Sequence, residues 1–397
     1  MSRYHSYINT ALKINQTFKG EIPFAVFIKQ FFGANKKYGS KDRKQIAALC
    51  YNYFRVGFAA GNLIPDKKML LATFLCETEH SPLLEKLQPE WNNLVSVSLQ
   101  EKLAIVQTQF SLLDIFPFAD KLSIEIDSAA FAESFLRQPD LFMRIRPKAK
   151  TIVLKKLKKS KLPFQLISDD CVQFAISANL EDYFDIDREV VIQDYNSQKV
   201  LDYLKNSGLP FSDTIDKRNT NLSVWDCCAA SGGKSILLID IVIQKLDLTV
   251  SDIRAGVILN LHQRFKKAGI KEYKYFIADI GNSDVKELVS DVDLIICDAP
   301  CSGSGTWSRT PEQLCFFKKG SIQNYSILQK TIVSNVLPYL RKGGLFFYIT
   351  CSVFKDENEN IAEFIANDCN ARLLQQQLLA GYEENADSMF VAVFEKQ

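Results

Sequence analysis

Residues 226–235 read "DCCAASGGKS", a run of small residues closing on Gly-Lys-Ser. A phosphate-binding loop ends the same way, but it also needs a glycine where Cys228 stands. Before the loop, "LSVWDC" is a short apolar strand; after it, an apolar helix begins near Lys234. The loop therefore joins a strand to a helix. Downstream, "LTVSD", "KYFIAD", "VDLIICDAP" and "GLFFYITC" repeat the alternation, and "SMFVAVFEK" closes the chain. This pattern predicts an α/β domain with a largely parallel, doubly wound sheet. Ligands of such sheets bind beyond the carboxyl ends of the strands.

Acidic residues mark those ends. The first strand ends at Asp226, the second at Asp252, the third at Asp279 and the fourth at Asp298. An acid about 20 residues past the glycine loop takes the hydroxyls of an adenosine ribose, which fits Asp252. Asp279 is expected within reach of an adenine amino group. Gly232 and Gly233 are expected to let the backbone approach a ligand beside the N–H groups of the helix start. One such acid alone could merely cap the next helix; one at each of several successive strands points to a ligand. "DLIICDAP" also has the look of a magnesium-binding strand, which keeps a triphosphate reading open. The missing glycine and the ribose acid at Asp252 stand against it.

Two further loops carry thiols at the same edge, "DAPCSGSGTWSRTPE" after strand four and "YITCSVFKDENE" after strand five. Cys301 and Cys351 are expected to converge on one crevice with Asp298. Two thiols and an acid beside a methyl donor suit covalent catalysis on an electron-poor ring. The remaining cysteines read as packing residues. Cys297 and Cys301 have no second pair at metal-ligand spacing, so no metal is expected.

The 397-residue chain has 47% apolar and 24% charged residues and a net charge of +2, within the range of soluble globular proteins of two or three domains. The start of the chain has no apolar secretory segment, and no run is long enough to span a membrane. Ten cysteines without a secretory signal suggest free thiols in a cytoplasmic protein. Charge is unevenly placed: residues 141–168 carry nine Lys or Arg and no acid, and the first fifty carry nine against Glu21 and Asp42. Such blocks suggest a local polyanion footprint. The plainer alternative for 152–162 is a helix burying Ile152, Val153 and Leu157 with its lysines in water. Residues 1–112 read as helical, with Ser40 as an N-cap, and 113–195 as a small α+β unit.

The cysteine loops together resemble those of the Sun/Fmu family of RNA cytosine-5 methyltransferases. "KKYGSKDRKQIAALCYNYFR" resembles the NusB-like N-terminal domain of the bacterial ribosomal-RNA members, "LFMRIRPK" the strand opening their small RNA-binding subdomain, and "VVIQDYNSQ" the segment before the cofactor domain. The resemblance implies a helical NusB-like domain at 1–112 and an α+β RNA-binding subdomain at 113–195. It implies a Rossmann-like S-adenosylmethionine-dependent domain with a mixed seven-stranded sheet at 196–397. It further implies that Cys351 is the nucleophile, that Cys301 assists product release, and that Asp298 holds and protonates the cytosine at N3 with Lys234 nearby. Cys228, Ala229, Ala230, Ser231, Gly232, Gly233 and Lys234 would line the cofactor site with Asp252, Asp279 and Asp298. Arg144, Arg146, Lys148, Lys150, Lys155, Lys156, Lys158, Lys159 and Arg309 would bind RNA, with ribosomal RNA as the expected substrate and a monomer as the working form. A cation such as Lys234 or Arg309 would activate the Cys351 thiolate.

Ser231 stands where the family usually has proline, Ser304 where it has threonine, and "DSMF" (Ser388, Met389) where it has "DGFF". These departures spare every reactive atom and bear on loop rigidity and cofactor affinity. A non-enzymatic RNA-binding or assembly factor of the same fold is the alternative, followed by a P-loop ATPase.

Overall fold

The computed structural model describes residues 3–175, 179–206, 221–282, 285 and 289–397. The chain divides into two compact units. One comprises Met1–Leu122, Ile126–Gln138 and Thr306–Lys319; the other comprises Ser123–Glu125, Pro139–Gly305 and Gly320–Gln397.

In the first unit the helices are α1 (Arg3–Thr17), α2 (Phe24–Ala34), α3 (Ser40–Arg55), α4 (Pro65–Cys76), α5 (Pro82–Leu87), α6 (Pro89–Asn93), α7 (Leu99–Val106) and α8 (Ser128–Ser134). Proline at the first position of α4, α5 and α6 sets the helical φ where no N–H partner is needed. Ser98 and Glu101 cap α7 reciprocally. Ser40 is not the cap of α3: Gly39 holds that position, and its N–H donates to Asp42 Oδ2 at 3.0 Å. Arg55, at the end of α3, is buried, and its Nη1 donates to the carbonyls of Phe135 (2.9 Å), Arg137 (2.7 Å) and Ser308 (2.9 Å). One guanidinium thus gathers three separate stretches of chain and satisfies carbonyls that burial would otherwise strand.

The second unit opens with a four-stranded sheet in the order β2-β3-β1-β4. Its elements are β1 (Leu141–Ile145), α9 (Lys150–Lys159), β2 (Phe164–Leu166), β3 (Cys171–Phe174) and β4 (Val190–Ile192). Met143, Ile145, Val153, Leu157, Val172 and Phe174 form its core. Ile152 does not join them; it is 49% exposed.

After α10 (Asp202–Asn206) comes the seven-stranded sheet: β5 (Leu222–Asp226), α11 (Gly233–Ile241), β6 (Leu246–Asp252), α12 (Ala255–Ala268), β7 (Lys274–Ile277) and β8 (Val292–Asp298), then α13 (Glu312–Phe316, in the first unit), α14 (Ser321–Val336), β9 (Leu340–Thr350), α15 (Glu359–Asp368), β10 (Ala371–Leu379) and β11 (Met389–Lys396). The order is β10-β11-β9-β8-β5-β6-β7. Strands β7, β6, β5, β8 and β9 are parallel; β11 runs antiparallel between β9 and β10. The central strands β5 and β8 are almost wholly buried, as strands covered on both faces must be. Because β5 pairs with β6 on one side and β8 on the other, the chain reverses direction across the sheet there, and a crevice opens at the carboxyl ends. Two expectations shift. Strand β7 stops at Ile277, so Asp279 sits in the following loop, and β10 has no counterpart among the strands expected from the sequence.

Candidate active site

A cavity of about 600 Å³ lies at this carboxyl edge, and Cys228, Ala230, Asp252, Asp279, Asp298, Cys301 and Cys351 all line it. The apolar side chains of Ile253 and Ile280 share its wall. Seven residues expected at one site from five separate segments do meet there.

The glycine loop is built for a turn. Ala230 has φ +47° and Gly232 φ +80°, both in the left-handed region. A Cβ on Gly232 would lie 2.5 Å from Phe265 on α12, so glycine is needed here for helix packing as well as for the positive φ. Ala229 and Gly232 are buried, and Gly233 and Ser231 do not line the cavity. Ser231 is instead held by Arg264, whose Nη1 donates to its Oγ (2.9 Å) and its carbonyl (3.1 Å). Arg264 also donates to Asp187 Oδ1 from Nε and Nη2. The loop is thereby pinned where proline was expected.

Asp252 is 5% exposed. It accepts the Ala230 N–H at 3.1 Å, the Arg254 N–H at 2.9 Å and the Arg254 guanidinium. Burial pushes its carboxyl up, but the Arg254 bonds outweigh that and hold it below the ordinary value. Asp279 accepts the Gly281 N–H and the Asn282 amide, which fixes its loop.

Lys234 Nζ donates to Asp298 Oδ2 at 2.6 Å. Burial alone would lower the Lys234 pKa, yet the charge of Asp298 and this bond raise it, so the ammonium is secure. Beneath them Asp226 is fully buried and accepts from Ser235 Oγ at 2.6 Å; burial pushes its carboxyl up to about 7.

Cys301 Sγ and Cys351 Sγ are 3.4 Å apart. The hydrogen bond with Cys351, then burial, push the Cys301 thiol well above its ordinary value. Either sulfur can donate in this contact. The two loops are held by residues that sequence reasoning missed. Glu357, fully buried, accepts the Ser302 N–H at 2.8 Å and the Gln329 amide at 3.2 Å. Asn358 accepts from Thr350 Oγ1 (2.6 Å) and donates to the Ser352 carbonyl (2.9 Å) and Ser123 Oγ (3.1 Å). Their only signal was position within "DENEN", just past the cysteine loop.

The two other departures are also absorbed. Ser304 Oγ accepts the Val353 N–H at 2.9 Å, and the Ser388 N–H donates to the Gly305 carbonyl at 2.9 Å. Gly305 could not carry a side chain, since a Cβ would lie 2.1 Å from the Ser388 carbonyl oxygen.

A second thiol group lies at the same edge. Cys227, Cys228 and Cys297 bring their sulfurs within 4.8 Å of one another, a grouping that sequence spacing did not reveal. Hydrogen bonds from Cys227 and Cys228 draw Cys297 down to about 6, while burial pushes Cys227 well up.

The basic segment divides. Arg144 is 2% exposed; its Nη1 donates to Asp240 Oδ2 at 2.6 Å and its Nε to Gln193 at 3.0 Å. Arg146 bonds Asp240 (2.9 Å) and the carbonyls of Asp187 and Ala268. Arg144, on β1, and Arg146, just past its end, both turn inward to Asp240. Both are corrected from RNA contacts to internal ion pairs. Lys156 pairs with Glu189 and Lys150 with Asp169. Lys148, Lys155, Lys158 and Lys159 are exposed. Arg309 belongs to the first unit, where its N–H donates to the Thr306 carbonyl. His262, on α12, contacts the Tyr273 hydroxyl, and His5 and His80 are exposed. Among the described residues no helix is long and apolar enough to cross a membrane.

Strand order, the acid-lined crevice and the glycine turn after β5 define a Rossmann-like methyltransferase fold. Solved structures with this fold include PH0851 (TM-score 0.69, 16% identity, covering 99% of this chain and 98% of that one). NSun6 from Pyrococcus horikoshii, solved with SFG, is also similar (TM-score 0.55, 13% identity, covering 68% and 95%). Residues 214–394 match the family model described as 16S rRNA methyltransferase RsmB/F. Among curated relatives, ribosomal RNA small subunit methyltransferase B of Shewanella oneidensis is 30% identical over 161 residues, 40% of this chain and 37% of its own. Its counterpart in Proteus mirabilis is 26% identical over 220 residues, 52% of this chain and 46% of its own. The aligned part thus spans less than half the length of these relatives.

Proposed function

We propose that the protein is an S-adenosylmethionine-dependent RNA cytosine-C5 methyltransferase acting on ribosomal RNA. The observation that carries this reading is the Cys301–Cys351 pair at 3.4 Å, lining one cavity with Asp298, which is ion-paired to Lys234. The cavity suits the cofactor chemically: carboxylates for ribose hydroxyls, an adenine amino group and a sulfonium charge stand beside apolar isoleucines, and the volume is that of a small-ligand site. When bound, the cofactor supplies the methyl group.

The chain's own residues supply the rest. Carbon 5 of cytosine is a poor nucleophile. Addition of the Cys351 thiolate at carbon 6 opens the C5–C6 double bond and moves its electrons to the ring, with a proton taken up at N3. Asp298 holds that edge of the base, and Lys234, secured as ammonium, is the proton store behind it. Once carbon 5 has taken the methyl group, a base takes its proton and the freed electron pair restores the C5–C6 double bond. The Cys351–C6 bond breaks to release the thiolate, and N3 returns its proton to the Asp298–Lys234 pair. Cys301, 3.4 Å from the departing sulfur, assists its release. Exposed lysines of α9 would hold the RNA backbone.

A P-loop reading has less support. The Ala230 N–H that would serve a phosphate is already taken by the Asp252 carboxylate, whose charge would repel one. Methyl transfer to small-subunit ribosomal RNA and to transfer RNA, followed by bisulfite sequencing, tests the proposal. Cys351→Ala should abolish transfer, and Cys301→Ala should accumulate a covalent protein–RNA adduct. Full activity in the Cys351 variant would sink the assignment of the nucleophile.

A further inference from the structure

The mechanism uses Cys301 and Cys351 and leaves three other thiols at the same edge without a task. Cys227 and Cys228 follow β5, and Cys297 is the penultimate residue of β8. Parallel pairing of these strands, continued by the Cys227 N–H donating to the Ile296 carbonyl at 3.0 Å, brings the three together. Their sulfurs lie within 4.8 Å of one another. A cation held by three thiolates at about 2.3 Å needs sulfurs about 4.0 Å apart in a planar arrangement. The existing separation allows that with small side-chain rotations.

From this geometry we propose that Cys227, Cys228 and Cys297 form a binding site for a single soft, thiophilic metal cation in the wall of the crevice. A donor set of sulfur alone selects for cations such as Zn²⁺, Cd²⁺ or Cu⁺ and against Mg²⁺ or Ca²⁺. Access exists, because half-buried Cys228 and buried Cys227 both line the cavity, whereas Cys297 is buried and does not line it. On binding, each sulfur still protonated exchanges its S–H bond for a metal–sulfur bond and its proton passes to solvent, so affinity rises with pH. The proposal does not depend on the methyltransferase reading.

The full chain, reduced and metal-free, should bind one equivalent of Cd²⁺ and develop an ultraviolet sulfur-to-metal charge-transfer band. Cys297→Ser and Cys228→Ser should each weaken binding by more than about 100-fold, since losing even a neighbour of a metal ligand costs about 10- to 100-fold. The double variant Cys301→Ser/Cys351→Ser should keep both the band and the stoichiometry. Circular dichroism checks the fold, and if the buried Cys297 variant unfolds, the half-buried Cys228 variant decides. The proposal is overturned by absence of a stoichiometric band, by its survival in the Cys228 variant, or by its loss only in the Cys301/Cys351 variant.

Discussion

The crevice at the carboxyl edge of the large sheet and the basic segment at 144–159 are both dense in charge, and they use it in opposite ways. In the crevice, charges from different strands meet because the strand order brings their ends together: Asp298 of β8 reaches Lys234 of α11, and Asp252 of β6 reaches Ala230 after β5. In the basic segment, charges adjacent in sequence are driven apart. Arg144 and Arg146 turn inward to share Asp240, while Lys155, Lys158 and Lys159 turn outward around a helix whose Val153 and Leu157 are buried. A run of like charge therefore does not report one function. Whether a basic residue lies on a covered strand or an open helix face decides its fate.

The largest test of this contrast is Asp240→Ala, which strands two inward guanidinium groups. Breaking a buried ion pair this way should lower the unfolding free energy by about 3–5 kcal/mol in denaturant titrations. A change below about 1 kcal/mol would mean that both arginines are solvated and the division of the basic segment is wrong. Next comes Asp226, on the crevice side. Its carboxyl titrates at an ordinary 3.8 when unfolded and at about 7 when folded, so the folded state holds the proton more tightly. The stability this adds is complete below the unfolded value and is lost as pH rises through about 7. Asp226→Asn cannot ionise, so its stability should fall less than wild type between about pH 4 and pH 8, by on the order of 2–4 kcal/mol. Thermal melts across that range would decide; parallel curves would mean that Asp226 is not a buried acid.

How legible each region was follows from the same physics. Parallel strands covered on both faces are short apolar runs, and β5, β6, β8 and β9 stood out as such. Edge strand β10 did not, because three consecutive glutamines on an exposed edge carry neither an apolar run nor clean alternation. Asp226, Asp252 and Asp298 lie at strand ends as expected, but Asp279 does not, since β7 is exposed at its edge and stops early. The convergence of Cys301 and Cys351 was legible through paired loop motifs. Glu357 and Asn358 were hidden, because an acidic, amide-rich run looks solvated until the fold buries it. The three-thiol group was equally hidden: Cys227 and Cys228 meet Cys297 only through the strand order. The sequence segments 1–112, 113–195 and 196–397 remain a proposal about folding units, beside the two compact units observed.

A smaller effect is expected at Ser231. Its hydroxyl accepts from Arg264, and a bond to a charged group at a half-buried position is worth about 1 kcal/mol after exposure is allowed for. Ser231→Ala should cost about that much and raise the KM for S-adenosylmethionine more than it lowers kcat, because the loop is loosened without loss of a reactive group. An unchanged KM would mean that the Ser231 carbonyl alone suffices to hold the turn.

The smallest effect on stability, and the sharpest on the comparison, should come from Lys158→Ala/Lys159→Ala. Both side chains are exposed at the end of α9, so folding stability should move by less than about 0.5 kcal/mol. RNA affinity should nonetheless fall, and it should fall alike for all sequences, because a lysine on phosphate reads charge rather than base. Removing one lysine from its phosphate reduces the slope of log affinity against log salt by about 0.7–0.9. The double variant, with neither ammonium left to neutralise a phosphate, should therefore flatten the slope by about 1.5. An unchanged slope with unchanged affinity would remove α9 from the RNA path. The outward lysines would then be a solvated face, and the crevice alone would account for substrate binding.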